Sequence, residues 1–160
     1  MDVLVVGLEV GGERYGIPAA LVVEVVPAVP LRVVPGTHEG VVGLLRHRGQ
    51  VVPVVDLSRA WGGGPTPRRM STRIVLCDVP ADGDRPAGRV GVLAERVTGA
   101  IRLDPTTADA GPGPATPTAR GLGRLVHDAD GLLQWVRPVD LLPADVLASL
   151  LRAAAEVAPW

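Results

Sequence analysis

The chain contains no lysine, no asparagine and no phenylalanine. All sixteen basic side chains are therefore arginines, and against seventeen acids they leave a formal net charge of -1. That balance lacks the basic excess on which sequence-independent attraction to phosphate backbones depends, so nucleic acid is not an expected partner. Cysteine occurs once, as Cys77, so no internal disulfide can form. It sits in the apolar run RIVLCDV and reads as a buried, reduced thiol, since a nucleophilic cysteine needs a nearby base that the sequence does not supply. Long apolar runs are missing too. The opening MDVLVVGLEVGGERYG has an acidic second residue and a short apolar stretch broken by glycine and glutamate, resembling neither a signal peptide nor a spanning helix. The expectation is a cytoplasmic protein without membrane insertion.

The usual catalytic constellations are also absent. There is no glycine-rich phosphate loop ending in Lys-Ser/Thr, no His-Glu-x-x-His, no Cys-x-x-Cys and no Gly-x-Ser-x-Gly. The three histidines, His38, His47 and His127, lie far apart without acidic or thiol companions at metal-ligand spacing, so no metal or other cofactor is expected.

What remains is a chain of 160 residues, 47% hydrophobic, with mean hydropathy +0.29, enough for one domain or two small lobes. The 20 glycines and 16 prolines, taken with the missing residue types, reflect GC-rich coding as much as structure. Alternation predicts a first strand over Val3 to Val10, a turn at Gly11-Gly12 and a return strand in ERYGIP. The segment AALVVEVVPAVPLRVVP is β-branched but broken by Pro27, Pro30 and Pro35, which confines it to short edge or bulged strands. VVGLLRHRG and QVVPVVDL predict two strands meeting near Gly49, after which Asp56 caps a helical turn in LSRAW. The cap competes with a catalytic role for Asp56, for instance with His127 in a hydrolase.

GGGPTPRR, from Gly62 to Arg69, reads as a flexible linker, and a second β-rich half follows in STRIVLCDV, RVGVLAERV, TGAIRL, GRLVHD and GLLQWVRPVDLL. The expected lobes are a first barrel over 1–62, a linker over 63–70 and a second barrel over 71–143, all within one domain spanning 1–160. DPTTADAGPGPATPTARG predicts a long, exposed, mobile loop. QVVPVVDL and QWVRPVDLL echo one another, each running through Pro-Val into Asp-Leu. The tail places Val146, Leu147, Leu150, Leu151 and Ala154 on one stripe, predicting a helix over 144–158 that docks on a barrel.

In order, GLEVGGERYGIPAALVVEVV, RGQVVPVVDL, RIVLCDV, RVGVLAERV and GLLQWVRPVDLL resemble the CheW-family chemotaxis coupling proteins over nearly the whole chain. The most specific part is Arg48-Gly49 followed by Val52-Pro53-Val54-Val55-Asp56-Leu57, which matches the family's RG-x-x-x-P-V-x-D-L pattern. LLRHRGQVVPVVDLS, MSTRIVLCDVP, VLAERVT and GLLQWV look most like the accessory coupling proteins of Wsp-type surface-sensing systems, which control a cyclic-di-GMP output.

The resemblance implies a mainly β fold of two small SH3-like, five-stranded barrels packed together, with a C-terminal helix. It implies a non-enzymatic adaptor joining the cytoplasmic tip of a methyl-accepting chemoreceptor to the regulatory domain of a CheA-type histidine kinase, recruited to receptor arrays. Carried over by position, Glu24 and Arg48 match a family glutamate and arginine that lie together at the receptor-facing groove. Gly43 matches a glycine that permits close backbone approach, and Val25 and Val52 are candidates for the apolar wall. Where the common pattern reads Asn-Leu before Arg-Gly, this chain has Arg46 and His47, which predicts a partner preference of its own. The alternative on the same barrels is a small-ligand sensor using the cleft between lobes.

Overall fold

A computed structural model describes residues 3–104, 108–109, 122–128 and 130–156. The β-branched runs form β1 (Val3–Val10), β2 (Glu13–Pro18), β3 (Val22–Pro27), β4 (Val41–His47), β5 (Gln50–Asp56), β6 (Arg73–Val79), β7 (Gly88–Ala94), β8 (Arg96–Leu103), β9 (Ala108–Asp109), β10 (Leu122–Asp128) and β11 (Gly131–Val136). A short helix α1 (Leu57–Ala60) follows β5, and α2 (Ala144–Glu156) closes the described chain. The expected helix residues 157 and 158, and most of the long loop expected over 104–121, lie outside the described residues.

The strands form two sheets, ordered β8-β1-β2-β11-β10-β9 and β3-β6-β7-β5-β4. These are the two SH3-like barrels, the first carrying the two-residue β9 beyond its five longer strands. The lobes expected from sequence, 1–62 and 71–143, are not how the strands sort. β1 pairs with β8 (Val3↔Leu103), and β2 pairs in parallel with β11 (Trp135↔Gly16), so the N-terminal hairpin completes the C-terminal barrel. Strand patterning fixes which residues are extended and which face is apolar, but leaves the partner open. The chain crosses between barrels through the 3-10 turn Ala19–Leu21 and at Glu95 between β7 and β8.

Position by position, β8, β1, β2, β11 and β10 correspond to β3, β6, β7, β5 and β4, with one parallel pair, β2·β11 or β7·β5, at the same place in each sheet. The echo between QVVPVVDL and QWVRPVDLL is therefore an equivalence of β5 and β11. Each runs into a helical turn, α1 in one barrel and the 3-10 turn Pro138–Asp140 in the other. Pro53 is tolerated inside β5 because the pairing with β7 begins only at Val54.

Alternation along single strands builds three cores. In β6, Ile74 and Leu76 join Leu45, Val52, Val54 and Leu93 inside one barrel. Val75, Cys77 and Val79 of the same strand face the other way and meet Leu8, Val10 and Ile17 of the neighbouring barrel. Val5, Leu103, Val126 and Leu133 fill the second barrel. Each buried Val or Leu contributes about 1.5–3 kcal/mol, so the shared cluster holds the barrels as one body. Tyr15 on β2 and Trp61 after α1 add an aromatic contact across it, with ring centroids 4.8 Å apart. Helix α2 seats Leu147 and Leu151, one turn apart, against β5 and β7. Gly88 admits it, since a Cβ there would lie 2.9 Å from Leu151 Cδ2.

The stretch expected to be a flexible linker is neither between barrels nor loose. It connects β5 to β6 within one sheet. Thr66 is buried at 5% exposure, and its amide and hydroxyl both donate to Asp56. Thr72 then fastens the far end, accepting from the Arg69 amide at 2.9 Å and donating to the Pro67 carbonyl at 2.8 Å. Glycine and proline signal irregular backbone, and irregular backbone can still be anchored by side chains.

Candidate partner-binding site

The seam between β3 and β4, the two ends of their sheet, carries the polar cluster. Two features of the backbone set it up. Val22 pairs with Cys77 while Glu24 pairs with Leu76, so Val23 forms a bulge in β3. Past that bulge Glu24 shares a face with Leu76 and Ile74 and stands at the mouth of the barrel. The β4–β5 hairpin turns through Arg48 and Gly49, with φ of 50° and 78°, and is closed by the pair His47↔Gln50. Two successive positive φ values are the type I′ signature, which matches the twist of the flanking strands. Gly49 adopts that conformation freely, whereas Arg48 is the one non-glycine residue with positive φ among those described.

His47 Nε2 lies 2.9 Å from Glu24 Oε2, and Arg48 Nη2 lies 3.4 Å from the same oxygen. The expected Glu24–Arg48 pair is thus present, but the nearer partner of Glu24 is His47. The His47 side chain is 13% exposed and Arg48 75%, with Glu24 between them at 35%. His47 Nδ1 is buried without a hydrogen-bond partner. The sequence marked His47 as a departure from the family pattern. Nothing in it showed that the ring points at Glu24, because that contact joins strands more than twenty residues apart.

Two expected site residues turn inward. Val52 is 1% exposed, packed with Val54, Ile74 and Leu76 in the barrel core, so it is not an apolar wall for a partner. Gly43 does permit a close backbone approach, but by this chain itself. A Cβ there would sit 2.8 Å from the Arg32 carbonyl oxygen and 3.0 Å from Leu31 Cβ. The segment after β3 crosses at that point and bridges β4, with Arg32 N donating to the Leu44 carbonyl at 3.0 Å and Leu44 N to the Arg32 carbonyl at 2.8 Å. Gly43 therefore closes the barrel seam.

Val25 is exposed at 37%, and Val23 and Val29 are exposed near it in sequence. Neither of the latter two was singled out from sequence, although the bulge that turns Val23 outward is foreshadowed by the proline-broken run. Arg46 is exposed and lines a groove of about 160 Å³ with Pro30, Arg32, Leu44 and Val51. Two larger depressions, of about 300 and 560 Å³, share Gln50 at the start of β5 with Gly88 and Arg89 at the start of β7, where Arg89 Nε meets Asp78 Oδ1 at 3.3 Å.

Asp56 is occupied structurally. It is 1% exposed, and its carboxylate accepts from Ser58 N at 3.0 Å, Thr66 Oγ1 at 2.6 Å and Thr66 N at 2.8 Å. It caps α1 as expected and in addition ties down the segment leading to β6. His127 lies on β10 of the other sheet, so the pairing needed for a hydrolase would span two barrels. Burial, reinforced by the neighbouring Asp78 carboxylate, pushes the Cys77 thiol up to about 12, leaving it protonated at physiological pH. No helix among the described residues is long and apolar enough to cross a membrane.

Paired SH3-like barrels, an ionic clasp at one barrel seam and a buried aspartate engaged by three donors define the module as one of paired SH3-like β-barrels. The CheW-like domain model matches residues 4–145, and the chain belongs to that family. It is 36% identical over 94 residues to Protein FrzA of Myxococcus xanthus, covering 59% of this chain and 55% of that protein. It is 31% identical over 104 residues to the chemotaxis protein CheW of Helicobacter pylori (strain ATCC 700392 / 26695), covering 65% of this chain and 59% of that one. The chain thus spans little more than half the length of these curated relatives. The crystal structure of the scaffolding protein TtCheW from Thermoanaerobacter tengcongensis shares the fold, with a TM-score of 0.72 at 24% identity over 86% of this chain and 85% of that one.

Proposed function

We propose that the protein is a non-enzymatic adaptor that couples the cytoplasmic tip of a methyl-accepting chemoreceptor to the regulatory domain of a CheA-type histidine kinase. The observation that carries this reading is the Glu24–His47–Arg48 cluster, which presents an exposed guanidinium at the tip of the β4–β5 hairpin, while Val25, next to Glu24 in sequence, is exposed on β3. Fixed charges beside apolar surface supply register and on-rate in binding modules of this kind. Family membership supports the scaffold role, and the engaged state of Asp56 supports a structural task for the one buried carboxylate of the described residues. The partner-facing residues are then Glu24, Val25, Arg46, His47 and Arg48. Such a protein works in the cytoplasm, at membrane-associated receptor arrays to which its partners recruit it.

The test is binding of the full chain to a purified receptor cytoplasmic fragment, followed by calorimetry. The wild-type chain forms a complex, and Arg48→Glu weakens it roughly tenfold or more, the scale for reversing a charge at a specific contact. Undiminished binding by the reversed variant removes Arg48 from the site, and absence of any complex removes the adaptor reading.

A further inference from the structure

His47 and Arg48 converge on one oxygen of Glu24, and they hold it unequally. The His47 contact, at 2.9 Å, is the closer of the two, and the Arg48 contact, at 3.4 Å, is the looser. Exposure runs the same way, with the imidazole mostly covered and the guanidinium mostly in solvent. Hydrogen-bond accounting bears on where the ring carries its protons. Nε2 faces a carboxylate oxygen, which is an acceptor for a proton on that nitrogen. Nδ1 is sealed and without a partner, and a second proton there would make a buried cationic donor with no acceptor.

We infer that His47, as its neutral Nε2–H tautomer, is the positioning residue that retains Glu24 at the barrel mouth, which leaves Arg48 as the exchangeable member of the clasp, presented to a carboxylate on a partner. Without His47, Glu24 would have only Arg48 to satisfy it, and a partner carboxylate would have to displace Glu24 before engaging the guanidinium. With His47 in place that competition is relieved in advance, and the hairpin turn holds Arg48 outward. The departure of this chain from the family's Asn-Leu pattern thereby acquires a task, favouring partners that set an acidic side chain opposite Arg48. The identity of what Arg48 meets rests on the adaptor reading; the tautomer and the allegiance of Glu24 are properties of the chain alone.

Three measurements on the full chain test this. Long-range ¹H–¹⁵N correlation spectra at pH 8 should show His47 protonated at Nε2 and bare at Nδ1. A proton on Nδ1 overturns the inference. ¹⁵N relaxation of the Arg48 Nε–H group should show greater order in His47→Leu, where Arg48 takes over Glu24, and wild-type order in His47→Gln, whose amide can still donate. Unchanged or lower order in His47→Leu overturns it as well. Affinity for a receptor cytoplasmic fragment should fall about threefold or more in His47→Leu, the scale of one hydrogen bond to a charged group, and that loss should vanish in a Glu24→Gln background. A loss that persists without the Glu24 charge rejects the presentation of Arg48. If the wild-type chain itself fails to bind the fragment, the adaptor reading falls, and the two spectroscopic results still decide the role of His47.

Discussion

Thr66 reaches back across a glycine- and proline-rich stretch to Asp56, its hydroxyl donating to Oδ1 at 2.6 Å and its amide to Oδ2 at 2.8 Å. Asp56 also takes the Ser58 amide at the start of α1, so one carboxylate fixes both the end of β5 and the route to β6. Replacing it leaves three donors without an acceptor. Asp56→Ala is expected to cost about 2–4 kcal/mol, combining a lost helix cap with buried unsatisfied donors. Thr66→Val, which keeps the amide bond, should cost about 1 kcal/mol. Urea denaturation of both variants checks the order, and equal costs would show that the hydroxyl, not the carboxylate, is the anchor.

At the barrel seam, Gly43→Ala forces a methyl group against the Arg32 carbonyl and the Leu31 side chain. Backbone atoms cannot yield as a side-chain tip can, so the bridge between Arg32 and Leu44 must open. A destabilisation of about 1–3 kcal/mol is expected, with faster amide exchange at Leu44 and Arg32 than elsewhere in β4. A variant as stable as wild type, with those amides still protected, would show that the crossing segment shifts without penalty.

Arg48 sits at φ 50°, a conformation that costs an L-residue about 1–2 kcal/mol. Arg48→Gly relieves that strain while giving the unfolded chain more freedom, so its stability should stay within about 1 kcal/mol of wild type. It is therefore the cleaner probe of the guanidinium, since its binding loss would not reflect a damaged hairpin. Gly49→Ala, at φ 78°, has no such compensation and should cost about 1 kcal/mol or more. Thermal midpoints of the two variants distinguish them.

Cys77 gives the protein an alkaline limit. Its thiol is pushed up to about 12 by burial and by Asp78, against 9.0 for a free thiol. Between those values the unfolded chain releases a proton that the folded chain retains. The unfolded state is favoured accordingly, and stability falls by about 1.4 kcal/mol per pH unit over that window, with no contribution below it. Tyr15, also raised by burial and by Glu13, adds to the loss once the pH passes 10.0. Denaturation midpoints from pH 8 to 11 should show this slope in the wild type and a shallower one in Cys77→Val. Matching slopes would assign the limit to other groups.

Most of the local structure was legible in the sequence because it rests on short-range physics. Alternation specified β1, apolar runs specified β6 and β7, Gly11-Gly12 and Gly49 marked turns, Asp56 announced a cap, and the stripe through Leu147 and Leu151 specified α2. Glu24 and Arg48 were named by resemblance to a family pattern. Val52 and Gly43, named in the same way, proved to serve the barrel interior and its seam, because a motif match carries residue types and not their direction.

The sequence by itself determined which residues are extended, where the chain turns and that one helix ends apolar on one side. Those outcomes depend on neighbours two to four positions apart. Only the tertiary structure decided that β1 and β2 complete the barrel of β8, β10 and β11, that Thr66 anchors an apparent linker, and that His47 rather than Arg48 is the nearer partner of Glu24. Each of these joins residues separated by ten or more positions. Such contacts are selected by the joint fit of apolar faces and by the need to satisfy polar groups that folding buries, and no local pattern along the chain encodes either one.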